Sequence, residues 1–106
     1  MQLKHLTSDD FTSTLQEEKR LVVVDFFAAW CGPCRMLGPV MEEVQDEIKD
    51  RASIYKVDID EAEDVARSFG IMSVPSVLFF KDGKEIGRFV GYRNKAQVLE
   101  EIENYL

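Results

Sequence analysis

The residues best suited to chemistry are Cys31 and Cys34, the only two cysteines of the chain, set in Trp30-Cys31-Gly32-Pro33-Cys34. A thiolate is a nucleophile and two thiols this close can bond to each other, so the pair offers a permanent disulfide, a metal site, or a cycling dithiol. As a staple, a loop of four residues contributes only about 2 kcal/mol in the chain-entropy account. That is little for a chain long enough to bury a core of its own. Structural zinc usually takes four nitrogen or sulfur ligands, and apart from the cysteines the sequence offers one histidine, the distant His5. His5 reads more simply as a neutral surface or core-facing residue. The spacing favours cycling, because two intervening residues at a helix start bring both sulfurs within bonding distance without unwinding the helix.

The flanking sequence describes the scaffold that must hold these thiols. Leu21–Phe27 is an apolar, valine-rich run broken by one aspartate, which suits a strand buried on both faces and central in a sheet. After the cysteines, Leu37, Met41, Val44 and Ile48 recur at steps of three and four between Arg35, Glu42, Glu43, Asp46 and Glu47, the pattern of a helix with one buried face. The pair therefore sits where a strand hands over to a helix, beside unpaired N–H groups and the positive end of the helix dipole. A thiol ionises most easily there.

Upstream, residues 3–6 suit a short strand, and Ser8-Asp9-Asp10 supplies cap and acidic first-turn residues for a helix to about residue 18. Downstream, residues 53–58 alternate as a strand, and a helix through Val65 and Phe69 meets a left-handed cap at Gly70. Ser76–Lys81 and Lys84–Val90 are β-rich runs joined by Asp82-Gly83, a two-residue hairpin signal. A last helix starts near Asn94, with Val98, Leu99, Ile102 and Leu106 at helical spacing. The expected order is β-α-β-α-β-α-β-β-α, an α/β fold with early strands made parallel by right-handed crossovers and a closing antiparallel hairpin.

With 106 residues, 45% of them hydrophobic, and no linker-like run, residues 1–106 are expected to form one domain. A formal charge of −7, from 13 basic against 20 acidic residues, argues against nucleic acid and anionic membrane surfaces. The first residues lack a basic segment followed by an apolar one, and no run reaches about 18 apolar residues, so a soluble cytoplasmic protein is expected. In a reducing compartment a lone close cysteine pair is more often catalytic or metal-binding than a permanent disulfide.

Asp25 inside its Val-Phe run must lie at a wet strand end or be buried with a raised pKa. Its residue type favours the wet end, since acids are rarely fully buried. Lys56 reads as a solvated strand lysine, and Pro39 as a kink inside the second helix. The acidic stretch 58–64 has Glu63 where a calcium loop needs glycine, so it reads as solvated surface.

Trp30-Cys31-Gly32-Pro33-Cys34, preceded by the strand with Asp25 and followed by Pro39, Val74-Pro75 and Gly91, resembles the thioredoxins over essentially the whole chain. The resemblance implies the thioredoxin fold, a central mixed five-stranded sheet flanked by four helices, and a general protein-disulfide reductase. It implies no bound cofactor: the redox group is the Cys31–Cys34 pair, and NADPH and FAD act through a thioredoxin reductase that recharges it. The implied partners are that reductase and disulfide-containing proteins such as ribonucleotide reductase, methionine sulfoxide reductase and peroxiredoxin, the chain itself being a monomer.

Cys31, at the helix mouth, is expected to be the exposed attacker, and Cys34, one turn inward, the resolving thiol; the resemblance implies the same roles. It also implies a buried Asp25 that relays a proton for Cys34, a Lys56 that tunes it, and a cis Pro75 that frees the Val74 backbone to pair with substrate. Replacing Pro33 is expected to shift the redox balance more than the fold. Trp30, Gly32, Pro33, Met72, Val74, Pro75 and Gly91 become an apolar contact patch. Phe27 stands where many thioredoxins carry a tryptophan, Ser76 replaces the usual threonine, and Met72-Ser73 bears on partner choice. A thiol oxidant or isomerase on the same fold, or a redox-silent binding module, are the competing expectations.

Overall fold

The computed structural model describes residues 2–106. In chain order these form β1 (Lys4–His5), α1 (Phe11–Glu17), β2 (Leu21–Phe27), α2 (Gly32–Ile48), β3 (Ala52–Asp58), α3 (Glu63–Ser68), β4 (Ser76–Lys81), β5 (Lys84–Val90) and α4 (Lys95–Glu103), with a short 3₁₀ turn at Lys49–Arg51. The five strands lie in the order β1-β3-β2-β4-β5. β1 and β2 run parallel to β3, while β4 is antiparallel to β2 and β5 to β4. This is the mixed five-stranded sheet with four helices that the sequence and its resemblance point to, with β2 in the middle.

The position of β2 explains its composition. Residues 21 to 26 are all buried, because side chains alternate between two faces and each face is covered. Leu21 and Val23 join Leu37, Met41, Val44 and Ile48 of α2 and Val98 and Ile102 of α4. Val22, Val24 and Phe26 pack on the other side with Leu6, Phe11, Leu15 and Val65. Each such side chain contributes roughly 1.5–3 kcal/mol of burial, so the register of β2 is firmly fixed. A shift by one residue would exchange the two faces. Asp25 falls by the same alternation on the α2 face.

Local chemistry sets the boundaries. Gly70 takes φ +61, and its N–H reaches Arg67 O at 3.1 Å while that of Ile71 reaches Ala66 O at 3.0 Å, the paired bonds of a left-handed helix stop. Asp82 and Gly83 have φ of 52 and 79, the two positive values a tight hairpin turn requires. Asn94 and Gln97 cap α4 reciprocally, at 2.9 and 3.0 Å.

Two expectations are corrected. The acidic residues ahead of α1 do not cap it forward: Asp10 Oδ1 instead accepts from the Thr7 N–H at 2.7 Å, and the Ser8 hydroxyl bonds Asp64. α4 ends at Glu103 rather than running on to Leu106. Tyr105 stacks on Phe79 at 4.6 Å and sets its hydroxyl where a side chain on Gly87 would stand, which leaves Leu106 exposed. Among the described residues no helix is long and apolar enough to cross a membrane.

Candidate functional site

The polypeptide leaves β2 at Phe27 and turns at once, with the Cys31 N–H bonded to Ala28 O at 3.1 Å. Cys31 caps α2: its Sγ accepts the Cys34 N–H at 3.2 Å. Gly32 and Pro33 occupy the first helical turn, where proline lacks only an N–H that would have had no helical partner. The two sulfurs are joined as a disulfide, with Cα atoms 5.2 Å apart.

Cys31 is not the exposed member of the pair. It is 5% exposed and Cys34 4%, because Ala28, Phe27, Ile59 and Val74 pack around both. Cys31 Sγ lies 3.6 Å from the Val74 carbonyl oxygen; in the disulfide this is a contact, as the sulfur carries no proton to donate. What separates the two sulfurs is their surroundings. Cys31 faces a helix N-terminus, whereas Cys34 borders a cavity of about 380 Å³ shared with Asp25, Lys56, Arg35, Gly38 and Glu42. A roomier cavity of about 600 Å³, against Leu3, Gln45 and Tyr55, borders neither sulfur.

Asp25 is buried, 2% exposed, which overturns the wet strand end that its residue type favoured. Central placement in β2 decides this: Lys56 stands beside it on β3 and Val77 on β4. Its Oδ1 accepts no hydrogen bond from the described residues. Burial pushes the carboxyl up from 3.8 to about 7, with the positive charge of Lys56 pulling the other way. Lys56 is half-buried rather than freely solvated, its Nζ 5.7 Å from the centre of the Phe27 ring. Pro39 does lie inside α2 and borders the same cavity.

Around the disulfide, Trp30 is 67% and Met72 94% exposed, with Gly32 and Pro33 also exposed and Val74 and Gly91 half-buried. Pro75, unlike Trp30 and Met72, is buried. The Val74-Pro75 bond is cis. The Pro75 carbonyl accepts the Gly91 N–H at 2.8 Å, and Gly91 adopts φ +94, which favours glycine. Ser76 Oγ closes the loop on Ser73 O at 2.6 Å.

Sequence reasoning missed Asp60. The Trp30 indole donates to its carboxylate at 2.9 Å, and the Asp60 N–H in turn donates to Asp58 Oδ1 at 2.8 Å. The stretch 58–64 is therefore partly tied to the site rather than merely solvated. The Asp58 turn has a local signature, but nothing in sequence pairs Asp60 with a tryptophan 30 residues away. Arg35 likewise donates to Ala29 O at 3.0 Å, fastening the head of α2 to the loop before it. Among the described residues no group of three or more histidine, cysteine or acidic side chains could hold a metal ion.

A disulfide held at a helix cap, clear of the sheet ladder, can open and reclose while the sheet beneath it stays intact. The chain is thus a thiol–disulfide oxidoreductase built on a mixed α/β sheet. The thioredoxin family model matches residues 2–104, and the chain belongs to the thioredoxin family. It is similar to a thioredoxin of Listeria monocytogenes serovar 1/2a, 43% identical over 97 residues that cover 92% of this chain and 94% of the relative. A Staphylococcus saprophyticus thioredoxin is 39% identical over 106 residues, the whole of both chains. Thioredoxin-2 of Saccharomyces cerevisiae is 44% identical over 96 residues, 91% of this chain and 90% of the relative. The chain is a protein-disulfide reductase whose redox group is the Cys31–Cys34 disulfide, serving disulfide-bearing proteins and a thioredoxin reductase.

Proposed function

We propose that Cys31 is the attacking thiol and Cys34 the resolving one, and that Asp25 takes the proton Cys34 must lose. The observation that carries this is the asymmetry of the two sulfurs: the Cys34 N–H points at Cys31 Sγ from 3.2 Å, whereas Cys34 shares a cavity with Asp25. A thiolate on Cys31 gains that hydrogen bond and the field of α2. It attacks one sulfur of a target disulfide, and the other sulfur leaves as a thiolate that takes up a proton. Asp25 then accepts the Cys34 proton, and Cys34 attacks Cys31 Sγ. That step releases the second target sulfur, closes the Cys31–Cys34 bond, and completes transfer of two electrons to the target. A carboxyl pushed up to about 7 is half-ionised near neutrality, where a general base works best. Lys56 keeps it from rising further.

Ionisation explains little of the rate. Lowering a thiol pKa by ~1.5 units from ~8.5 raises its thiolate fraction at pH 7 about 16-fold, but weaker nucleophilicity returns about 5-fold. The remainder comes from positioning. Trp30, Met72, Gly32 and Pro33 supply the exposed docking surface, Val74 and Gly91 its backbone edge, and the buried Pro75 shapes that edge from behind. Pro33 sets the balance between dithiol and disulfide. Ribonucleotide reductase, methionine sulfoxide reductase and peroxiredoxin fit as targets, with NADPH and FAD acting in the reductase partner. The chain works as a cytoplasmic monomer, residues 1–106 forming one domain.

The test is trapping. Cys34→Ser should accumulate mixed disulfides with target proteins through Cys31, and Cys31→Ser should trap far fewer. Equal capture by both variants, or greater capture by Cys31→Ser, would refute the assignment.

A further inference from the structure

Gly38 stands inside α2 with φ outside the left-handed region, although glycine is less favourable than alanine in a helix interior. No close neighbour demands it: among the described residues, nothing beyond the adjoining backbone of its own helix lies within 4 Å of where a Cβ would stand. What Gly38 borders is the cavity of about 380 Å³ that holds Asp25 and Cys34. Cys34, Gly38 and Glu42 follow at steps of four, which sets them along one face of the helix, and all three line that cavity. Gly38 is thus the step between the resolving sulfur and the acidic Glu42.

The groups around Asp25 are few. Cys34, Arg35 and Glu42 reach the cavity from α2 and Lys56 from β3, while the neighbour on β4 is the apolar Val77. Ala28 and Ala29 form part of the wall. The volume far exceeds the roughly 30 Å³ that one water occupies in the liquid, and the polar groups can hold waters in it.

We propose that the missing side chain at Gly38 keeps open a water passage along α2, which hydrates the Asp25 carboxylate and lets it exchange with solvent both its own proton and the one it takes from Cys34. This rests on the relay proposed for Asp25 and adds a route for the proton to leave. No electron or covalent bond is involved; the proton moves from Cys34 to Asp25 and then to water. Gly38 is a positioning residue, since it touches neither sulfur nor target.

The experiment mixes the reduced protein with a small aromatic disulfide that releases a coloured thiolate, recorded by stopped flow from about pH 6 to pH 9. A first phase reports attack by Cys31 and a second reports resolution by Cys34. Gly38→Leu, which fills the passage, should leave the first phase unchanged and raise the pH midpoint of the second by about one unit. A half-ionised base would then be about one-tenth ionised near pH 7, a slowing of about five-fold. Gly38→Met, whose flexible side chain is long enough to enter the passage, should act in the same direction and decides the matter should the leucine variant fail to fold. Wild-type rates and midpoints in both variants overturn the passage. So does equal slowing when Gly38→Leu is added to Asp25→Asn, because the effect is then steric. Asp25→Asn alone separates the two proposals: if it resolves as fast as wild type at every pH, the relay itself fails, whereas a slow Asp25→Asn beside normal Gly38 variants refutes only the passage.

Discussion

Replacing Asp25 with asparagine should stabilise the protein by an amount that grows with pH. The carboxyl moves from 3.8 to about 7 on burial, a change of about 3 units at about 1.36 kcal/mol each. Between those two values the folded protein binds more protons than the unfolded chain, so wild-type stability falls as pH rises through the window and levels off above it. The asparagine variant lacks that slope. The titrating part of the gap between the two should open from near zero at about pH 4, reach about half its span by about pH 5.5, and plateau at about 4 kcal/mol above pH 7. The amide itself adds a constant offset of about 1–3 kcal/mol if its hydrogen bonds are incompletely met. That offset does not titrate, so the change in the gap with pH is the quantity to read. Urea titrations of both oxidised proteins, followed by far-ultraviolet circular dichroism from about pH 4 to pH 8, measure it without interference from thiol ionisation. A melting difference that widens by roughly 15 °C over the same range is the thermal equivalent. A gap that stays constant with pH would refute the reasoning: Asp25 would then be solvated well enough through its cavity to titrate normally.

Glu18 gives the opposite pH signature. Hydrogen bonds from Arg20 and Ser53 hold its carboxyl down, from 4.5 to about 2, so its contribution is present above pH 4.5 and is lost as pH falls towards 2. Because Arg20 is 45% exposed, the pair is worth about 1 kcal/mol rather than the full shift; Glu18→Gln should lose that near neutrality and nothing near pH 2, as acid-range thermal melts will show. Gly87→Ala should destabilise by about 1–3 kcal/mol, because the new Cβ collides with the Tyr105 ring and hydroxyl. Denaturant titration should find much of the loss absent when the alanine is introduced into a Tyr105→Ala background.

The periodic elements were legible because their determinants are local. The seven-residue run of β2, the three-and-four stepping of α2, Gly70, and Asp82-Gly83 each carry their structure in adjacent residues, and each is observed where expected. Asp25 was not legible from residue type, because whether a strand residue is wet depends on the strands either side of it. Nor was the end of α4, which Tyr105 sets by stacking on Phe79 of β4. Asp60 escaped for the same reason, its tryptophan partner being brought to it by the fold.

By itself the sequence determined that two thiols two residues apart would stand at the junction of a buried strand and an amphipathic helix, and that their chemistry would be exchange rather than stapling. Those features follow from spacing, capping and hydrophobic period, which act over a few residues. Only the tertiary structure decided that Cys31 is as covered as Cys34, that Asp25 is buried on the α2 face, and that a cavity along Gly38 joins that acid to Cys34. Burial and long-range electrostatics arise where separate elements meet. The same aspartate would have an ordinary carboxyl on an edge strand, and it is burial between β3 and β4 that raises it to about 7.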